Sequence, residues 1–388
     1  MDRFYFDHNA TTPVSAEVLD VVIQALRDDY GNASSIHHYG QRAKQVLERS
    51  RRQVADLLGC EPREIVFVSG GTEADNLAIF GIARRAPERR RHVITTAIEH
   101  PAVLNACAQL EREGVEITYL RVDMSGVVDP DDVRSALRPY TVLISVMHAN
   151  NELGTIQPLE EIARIAKEAG VVMHSDGVQA VGGISVNVRM LGVDLYSMSG
   201  HKIYAPKGVG ALYVREGTDL LPLLFGGRHE RGLRPGTENV PAFAGLGAAA
   251  DWLRRNLTTY VAAVQRLRDG MEQGILARVP QAFVNGSSAR RLPNTSNVRF
   301  EGIEGEAAVI ALDLMGFAVS SGAACSSGAV EPSHVLTAIG LSPAQARSSV
   351  RFSLGRSNTQ QQVDALVGAV EKTVARLRAL SPVYPDNA

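Results

Sequence analysis

Lys202 closes the stretch Ser197-Met-Ser-Gly-His-Lys, directly after an apolar run. A lysine amine placed there can attack a carbonyl cofactor and hold it covalently, provided nearby donors or cations keep the amine neutral. The plainer reading of a single lysine is a solvated loop residue. The spacing of residues elsewhere argues for the chemical one. Glu64 to Ser69 predicts a strand that runs straight into Gly70-Gly71-Thr72-Glu-Ala-Asp-Asn76 and a helix start. Glycines there let backbone amides approach an anion, and Thr72 adds a hydroxyl, although glycine also ends strands for purely structural reasons. A nucleotide-triphosphate loop would need Gly-Lys-Ser or Gly-Lys-Thr at the helix start, and none is present.

Asp176 closes the run Val171-Val-Met-His-Ser. An unpaired carboxylate at the inner end of a sheet is costly, so a cation such as a protonated pyridine nitrogen is implied; a capping aspartate is the alternative. Gln179 could reach a ring oxygen if the segment turns back. His100, before Pro101, either stacks on an aromatic ring or caps the next helix. Asn150 and Asn151 follow a strand at Val142. The loop Phe225–Asn239 combines four glycines with three arginines, which suits an anion or a subunit boundary. In Ser349-Val-Arg-Phe-Ser-Leu354, strand alternation sets Arg351 opposite Val350 and Phe352, free to clamp a substrate carboxylate. Arg356, past Gly355, is a weaker candidate. Cys325 sits in a run of small residues, Ser320 to Pro332, where a thiol is accessible and can act as a nucleophile.

The elements that must position these residues alternate. Strands are expected near Phe4–Phe6, 93–96, 116–122, 142–148 and 171–175, with helices from about 41 to 58 and at 102–113, 130–137 and 159–169. Such alternation predicts an α/β fold with a mostly parallel sheet covered on both faces, and ligands bind beyond the carboxyl ends of its strands. The segment Asp7-His-Asn-Ala-Thr-Thr-Pro13 reads as a turn and helix cap or as part of the site. A long amphipathic helix is expected from Asp251 to about Val279. Beyond Pro280, short strands at 297–300, 318–320 and 349–354 with helices at 304–314, 333–339 and 359–380 predict a smaller α+β domain. The expected division is 15–258 for the large domain, and 1–14 with 259–388 for the small one carrying Cys325.

With 388 residues, 45% of them hydrophobic, the chain can bury a sizeable core. A net charge of -2 gives no reason to expect nucleic acid or an anionic membrane as partner. No signal core or membrane-spanning run stands out, so a soluble, cytoplasmic protein is expected. Cys60, Cys107 and Cys325 match no zinc spacing, and no structural metal is expected. Cys60 and Cys107 read as small buried hydrophobes.

In order along the chain stand Asp7-His-Asn-Ala-Thr-Thr-Pro, Gly71-Thr-Glu-Ala-Asp-Asn, Glu99-His-Pro, His148-Ala-Asn-Asn-Glu, Asp176-Gly-Val-Gln, Ser199-Gly-His-Lys, Arg234-Pro-Gly-Thr-Glu-Asn, Ser320-Ser-Gly-Ala-Ala-Cys and Arg351-Phe-Ser-Leu-Gly. Over almost its whole length the chain resembles the pyridoxal-phosphate-dependent cysteine desulfurases of the NifS/IscS type, in the class V aminotransferase-like group. The long loop around Cys325 is similar to the first of that family's two groups. The resemblance implies a fold-type I transferase that converts L-cysteine to L-alanine. It implies Lys202 as the cofactor-linking lysine, Asp176 as partner of the pyridinium, Gln179 on the ring hydroxyl and His100 stacked on the ring. Gly71, Thr72, Ser199 and His201 would hold the phosphate, with Thr237 reaching it from the other subunit of a homodimer. Asn151 and Arg351 would orient the substrate, and Cys325 would take the sulfur as a persulfide for an acceptor such as an iron-sulfur scaffold. Ala33 stands where proline is common, and the lack of an extended segment after Pro385 leans towards the NifS type. A selenocysteine lyase or other class V enzyme, and a non-catalytic sulfur carrier or scaffold subunit, are the alternatives.

Overall fold

The computed structural model describes residues 3–86, 91–321 and 331–381, so Cys325 and the residues around Pro385 lie outside the described residues. In chain order the strands are β1 Phe4–Tyr5, β2 Ile65–Val68, β3 His92–Thr96, β4 Glu116–Leu120, β5 Thr141–Ser145, β6 Val172–Asp176, β7 Leu195–Ser199, β8 Gly210–Val214, β9 Ala282–Val284, β10 Thr295–Phe300, β11 Phe317–Ala318 and β12 Ser349–Ser353.

Seven strands form the main sheet in the order β2-β8-β7-β6-β5-β3-β4. Neighbours from β7 to β4 are parallel, and β8 alone runs against both β2 and β7. Parallel strands need crossover helices on both faces, which is why β2, β3 and β7 are buried throughout instead of alternating. The chain reverses its winding between β3 and β5, and such a reversal opens a crevice at the carboxyl ends of the strands. His100 follows β3 there, Asn151 follows β5, and Asp176 and Ser199 end β6 and β7.

The second layer is the antiparallel sheet β12-β10-β9. Its core includes Phe300, Leu312, Phe352, Leu366 and Val370, from the sheet and the helices Gly305–Leu314 and Gln360–Leu380. The chain start joins this layer: β1 pairs in parallel with β11, and Asp7 bridges Ser353. One helix, Val240–Arg278, serves both cores, giving Leu246 and Leu253 to the first and Val264, Met271 and Ile275 to the second.

That helix begins at Val240 and not at Asp251, for a physical reason. Its first turns are buried all round and carry no amphipathic period, and they contain Gly245 and Gly247, poor helix formers. Close packing explains both glycines. A Cβ on Gly245 would stand 2.7 Å from Val22 Cγ2, and one on Gly247 2.7 Å from Ser50 Cα. The helix Ala16–Asp28 is also absent from the sequence expectation, and its apolar residues Leu19, Ile23 and Leu26 point outward.

The glycine- and arginine-rich loop is pinned to the main sheet through a buried ion pair. Glu230 accepts two 2.7 Å hydrogen bonds from Arg51 and a 2.9 Å bond from the amide of Phe67 on β2. Both side chains are nearly shut off from water. Removing one partner of such a pair strands the other charge, so Glu230→Ala should cost about 3–5 kcal/mol in urea unfolding. An unchanged midpoint would show that the loop does not depend on this anchor.

Candidate active site

A cavity of about 410 Å³ lies at the carboxyl ends of the main strands, closed from the other side by β12. It brings together Gly71, Thr72, His100, Asn151, Asp176, Gln179, Ser199, His201, Lys202 and Arg351. Thr237 is absent from its lining and is exposed in this chain, and Cys325 is outside the described residues.

Each residue arrives there for a local reason. After β7, a 3-10 turn over Gly200–Lys202 carries His201 and Lys202 across the strand end. Tyr204 then takes a left-handed backbone, φ 67°, unusual for a bulky residue and held by a 2.8 Å bond from its amide to Thr12 Oγ1. Gly71 starts the helix Gly71–Ala83, and a Cβ there would stand 2.7 Å from Val178 Cγ2, so a side chain at this position would have to displace Val178. Exposed amides at such a start suit an anion. His100 both caps its helix, accepting from the Ala102 amide at 3.1 Å, and lines the cavity. Asp176 both ties its own turn, accepting from Val178 N at 2.9 Å, and lines the cavity. In both, the capping contact that the sequence offered is present.

The segment Asp7–Pro13 is more than a turn. Asn9 donates to Thr295 Oγ1 at 2.8 Å and to the Asn151 carbonyl at 3.0 Å, and its amide donates to Ser353 Oγ at 2.9 Å. The Asn9 carbonyl in turn accepts from Gln179 Nε2 at 3.0 Å and from Lys202 Nζ. Lys202 also donates to the Ala10 carbonyl at 2.8 Å. Thus a strap from the second layer holds the lysine amine by neutral carbonyls. Arg351 is fixed by Asp7 Oδ1 at 2.7 Å and by the Asn151 carbonyl at 3.1 Å. Among the described residues its Nε keeps an unused proton. Arg356 serves the scaffold, lying 3.6 Å over the Trp252 ring and 2.7 Å from Glu17.

Electrostatics follow from burial. Desolvation, helped by Arg351, pulls the Lys202 amine down to about 8, against the opposing pull of Asp176 and Asp7. Burial lowers His100, against the pull of Asp176, and takes His201 down to about 4. Burial raises Asp176, opposed by His100, the Val178 amide and Lys202. Glu99 is pushed up to about 8 by burial, although Met147 N and Thr96 Oγ1 both donate to it. Cys60 and Cys107 are pushed up to about 12 by desolvation, which leaves them poor nucleophiles.

The donor set fits pyridoxal phosphate. A glycine-cradled helix start with two hydroxyls and an imidazole suits the phosphate, a buried carboxylate facing the cavity suits a ring cation, and a lysine amine suits the aldehyde. Sequence reasoning passed over Asn9, Asp75 and Ser320, which also line the cavity. Asp75 lies three residues after Thr72 on a helix, a spacing that puts both on one face.

The aminotransferase class-V family model matches residues 4–366. The chain belongs to that family. It is 49% identical over 388 residues to a cysteine desulfurase of Trichormus azollae, covering 100% of this chain and 97% of the relative. It is 45% identical over 388 residues to the cysteine desulfurase NifS of Azotobacter vinelandii, covering 100% and 96%. A solved NifS-like protein superposes with a TM-score of 0.91 at 37% identity, over 97% of this chain and 100% of that one. These likenesses extend over both layers of the class-V fold. Among the described residues no helix is long and apolar enough to cross a membrane.

The depressed Lys202 amine has a thermodynamic signature. The unfolded lysine titrates near its ordinary 10.5 and the folded one at about 8, so between these values the unfolded chain holds a proton that the folded chain has lost. Stability of the cofactor-free protein should therefore rise through that window, by about 3 kcal/mol in all. Lys202→Met should remove this rise when unfolding free energies are compared across pH. An identical slope in both proteins would contradict the buried neutral amine.

Proposed function

We propose that this chain is a cysteine desulfurase, which takes L-cysteine, returns L-alanine and holds the sulfur as a persulfide on Cys325 for an acceptor. The observation that carries the reading is one cavity in which a depressed lysine amine shares space with Asp176, His100 and a glycine-cradled helix start. The cysteine desulfurases to which the chain is similar over its full length support the same activity.

In this reading Thr72, Ser199, His201 and the Gly71 amide hold the phosphate of pyridoxal phosphate. Asp176 faces the ring nitrogen, Gln179 the ring hydroxyl and His100 the ring plane. Bound there, the cofactor supplies an electron sink for the carbon skeleton of the amino acid. Lys202 Nζ, aimed by the carbonyls of Asn9 and Ala10, takes and returns protons, which its lowered pKa favours near neutral pH. Arg351, already held by Asp7 and Asn151, lines the cavity and offers its guanidinium charge to the substrate carboxylate.

Cys325 takes the sulfur in this proposal. Its thiolate attacks the substrate sulfur, the carbon-sulfur bond breaks with its electron pair left on carbon, and protonation there yields alanine. The residues flanking this segment support the reading. Ser320 lines the cavity and bridges Arg351, while Ser333 donates to Glu152 Oε2 at 2.6 Å, next to Asn151. In the division we propose, residues 15–258 hold the cofactor and 1–14 with 259–388 carry the cysteine.

A homodimer completes the site in this reading, Thr237 coming from the second copy. Its support is an exposed apolar stripe, Leu19, Ile23 and Leu26 on one helix face, with Tyr30, Ile36 and Phe225 also exposed. An iron-sulfur scaffold in the cytoplasm is the proposed acceptor.

The test separates sulfur transfer from cofactor binding. Cys325→Ala should bind pyridoxal phosphate and change its visible absorbance on adding L-cysteine, yet form almost no alanine and carry no persulfide by intact mass. Normal alanine formation from cysteine by this variant would refute the role of Cys325 and favour a general or selenocysteine lyase.

A further inference from the structure

Asp75 stands in the same cavity wall as Asp176, yet it is only 1% exposed. Among the described residues its Oδ1 has no hydrogen-bond partner, and His174 Nε2 lies 3.6 Å from it. The Ser197 hydroxyl lies beside the Asp75 side chain, which it favours as an anion, and is 3.0 Å from His174 Nε2. His174 Nδ1 is 2.8 Å from Ser145 Oγ. Because Asp176 is paired with Ser197 across β6 and β7, this buried chain Asp75–Ser197–His174–Ser145 runs directly behind Asp176.

Two carboxyl groups in one dry wall do not both ionise cheaply. Asp176 has support for its anion in the Val178 amide, His100 and Lys202. Asp75 has burial, Asp176 and Glu99 against its anion, and only the Ser197 hydroxyl for it. His174 offers no cation, since burial takes it down to about 3. Ser197 has a single proton to give, so the chain has two possible directions. With Asp75 as the acid, Asp75 donates to Ser197, Ser197 donates to His174 Nε2, and His174 Nδ1–H donates to Ser145. With Asp75 as carboxylate every bond reverses, and His174 carries its proton on Nε2.

We propose that Asp75 is a positioning residue for the cofactor site, present as the neutral acid, whose proton sets the direction of the Ser197–His174–Ser145 chain and leaves Asp176 as the single anion open to a ring cation. The consequence rests on the reading of Asp176 as ring partner: one negative charge then meets one positive charge, with no second buried anion to be compensated.

The test reads the tautomer of His174 by nitrogen NMR of histidine-labelled protein, with its signal assigned through His174→Gln. In both cofactor-free and pyridoxal-phosphate-loaded protein, His174 should be the Nδ1–H tautomer, and Asp75→Asn, which keeps a neutral donor, should leave it so. Pyridoxal phosphate affinity, measured by fluorescence titration, should stay within about twofold in Asp75→Asn and fall about tenfold in Asp75→Leu, which loses the donor. An Nε2–H tautomer in the wild type would overturn the proposal, and so would a tenfold loss of affinity in Asp75→Asn. The tautomer in cofactor-free protein is independent of the ring-partner reading, whose own failure would appear as unchanged affinity in Asp176→Asn.

Discussion

The site depends on keeping one amine dry without giving it a carboxylate as hydrogen-bond partner. A lysine bonded to a carboxylate stays an ammonium and cannot act as a nucleophile or base. Lys202 instead donates to the main-chain carbonyls of Asn9 and Ala10, while Asp176 and Asp7 act on it only through their fields. Neutral acceptors satisfy its hydrogen bonds at a smaller electrostatic gain than a carboxylate would give, so desolvation wins and the amine falls to about 8.

Much of the architecture follows from delivering those two carbonyls. They come from the N-terminal strap, which starts at β1 in the second layer and must cross to the end of β7. Asn9 fixes the crossing by bonding Thr295 and Ser353 from the small sheet and Asn151 from the main one. The same meeting of layers places Arg351, since its partner Asp7 belongs to the strap and its other partner is the Asn151 carbonyl. Amine and guanidinium are thus held by one piece of chain, and a shift of the strap would disturb both.

What the sequence revealed depended on whether a residue's role was local. Lys202, Asp176, His100 and the Gly71–Thr72 helix start stand at strand ends, and strand ends are legible from apolar runs and glycines. Arg351 was legible from strand alternation, and its cavity-facing position agrees with that. Asn9 and Asp75 were not, because their partners lie far along the chain: Thr295 and Asn151 for Asn9, Ser197 and Asp176 for Asp75. The early start of the helix at Val240 was hidden for the same reason, its glycines being explained only by Val22 and Ser50 packed against them. Among the cysteines, the buried reading of Cys107 agrees with its position in the core, and Cys60 is partly buried.

The central claim is that this site moves sulfur from L-cysteine onto the protein. A single turnover measures it most directly: cofactor-loaded protein is mixed with equimolar sulfur-labelled L-cysteine, without added thiol, and the protein is then digested and mapped. The account predicts equimolar alanine and the label on the peptide containing Cys325, with none on Cys60 or Cys107. Alanine accompanied by free labelled elemental sulfur, with no label bound to the protein, would contradict it.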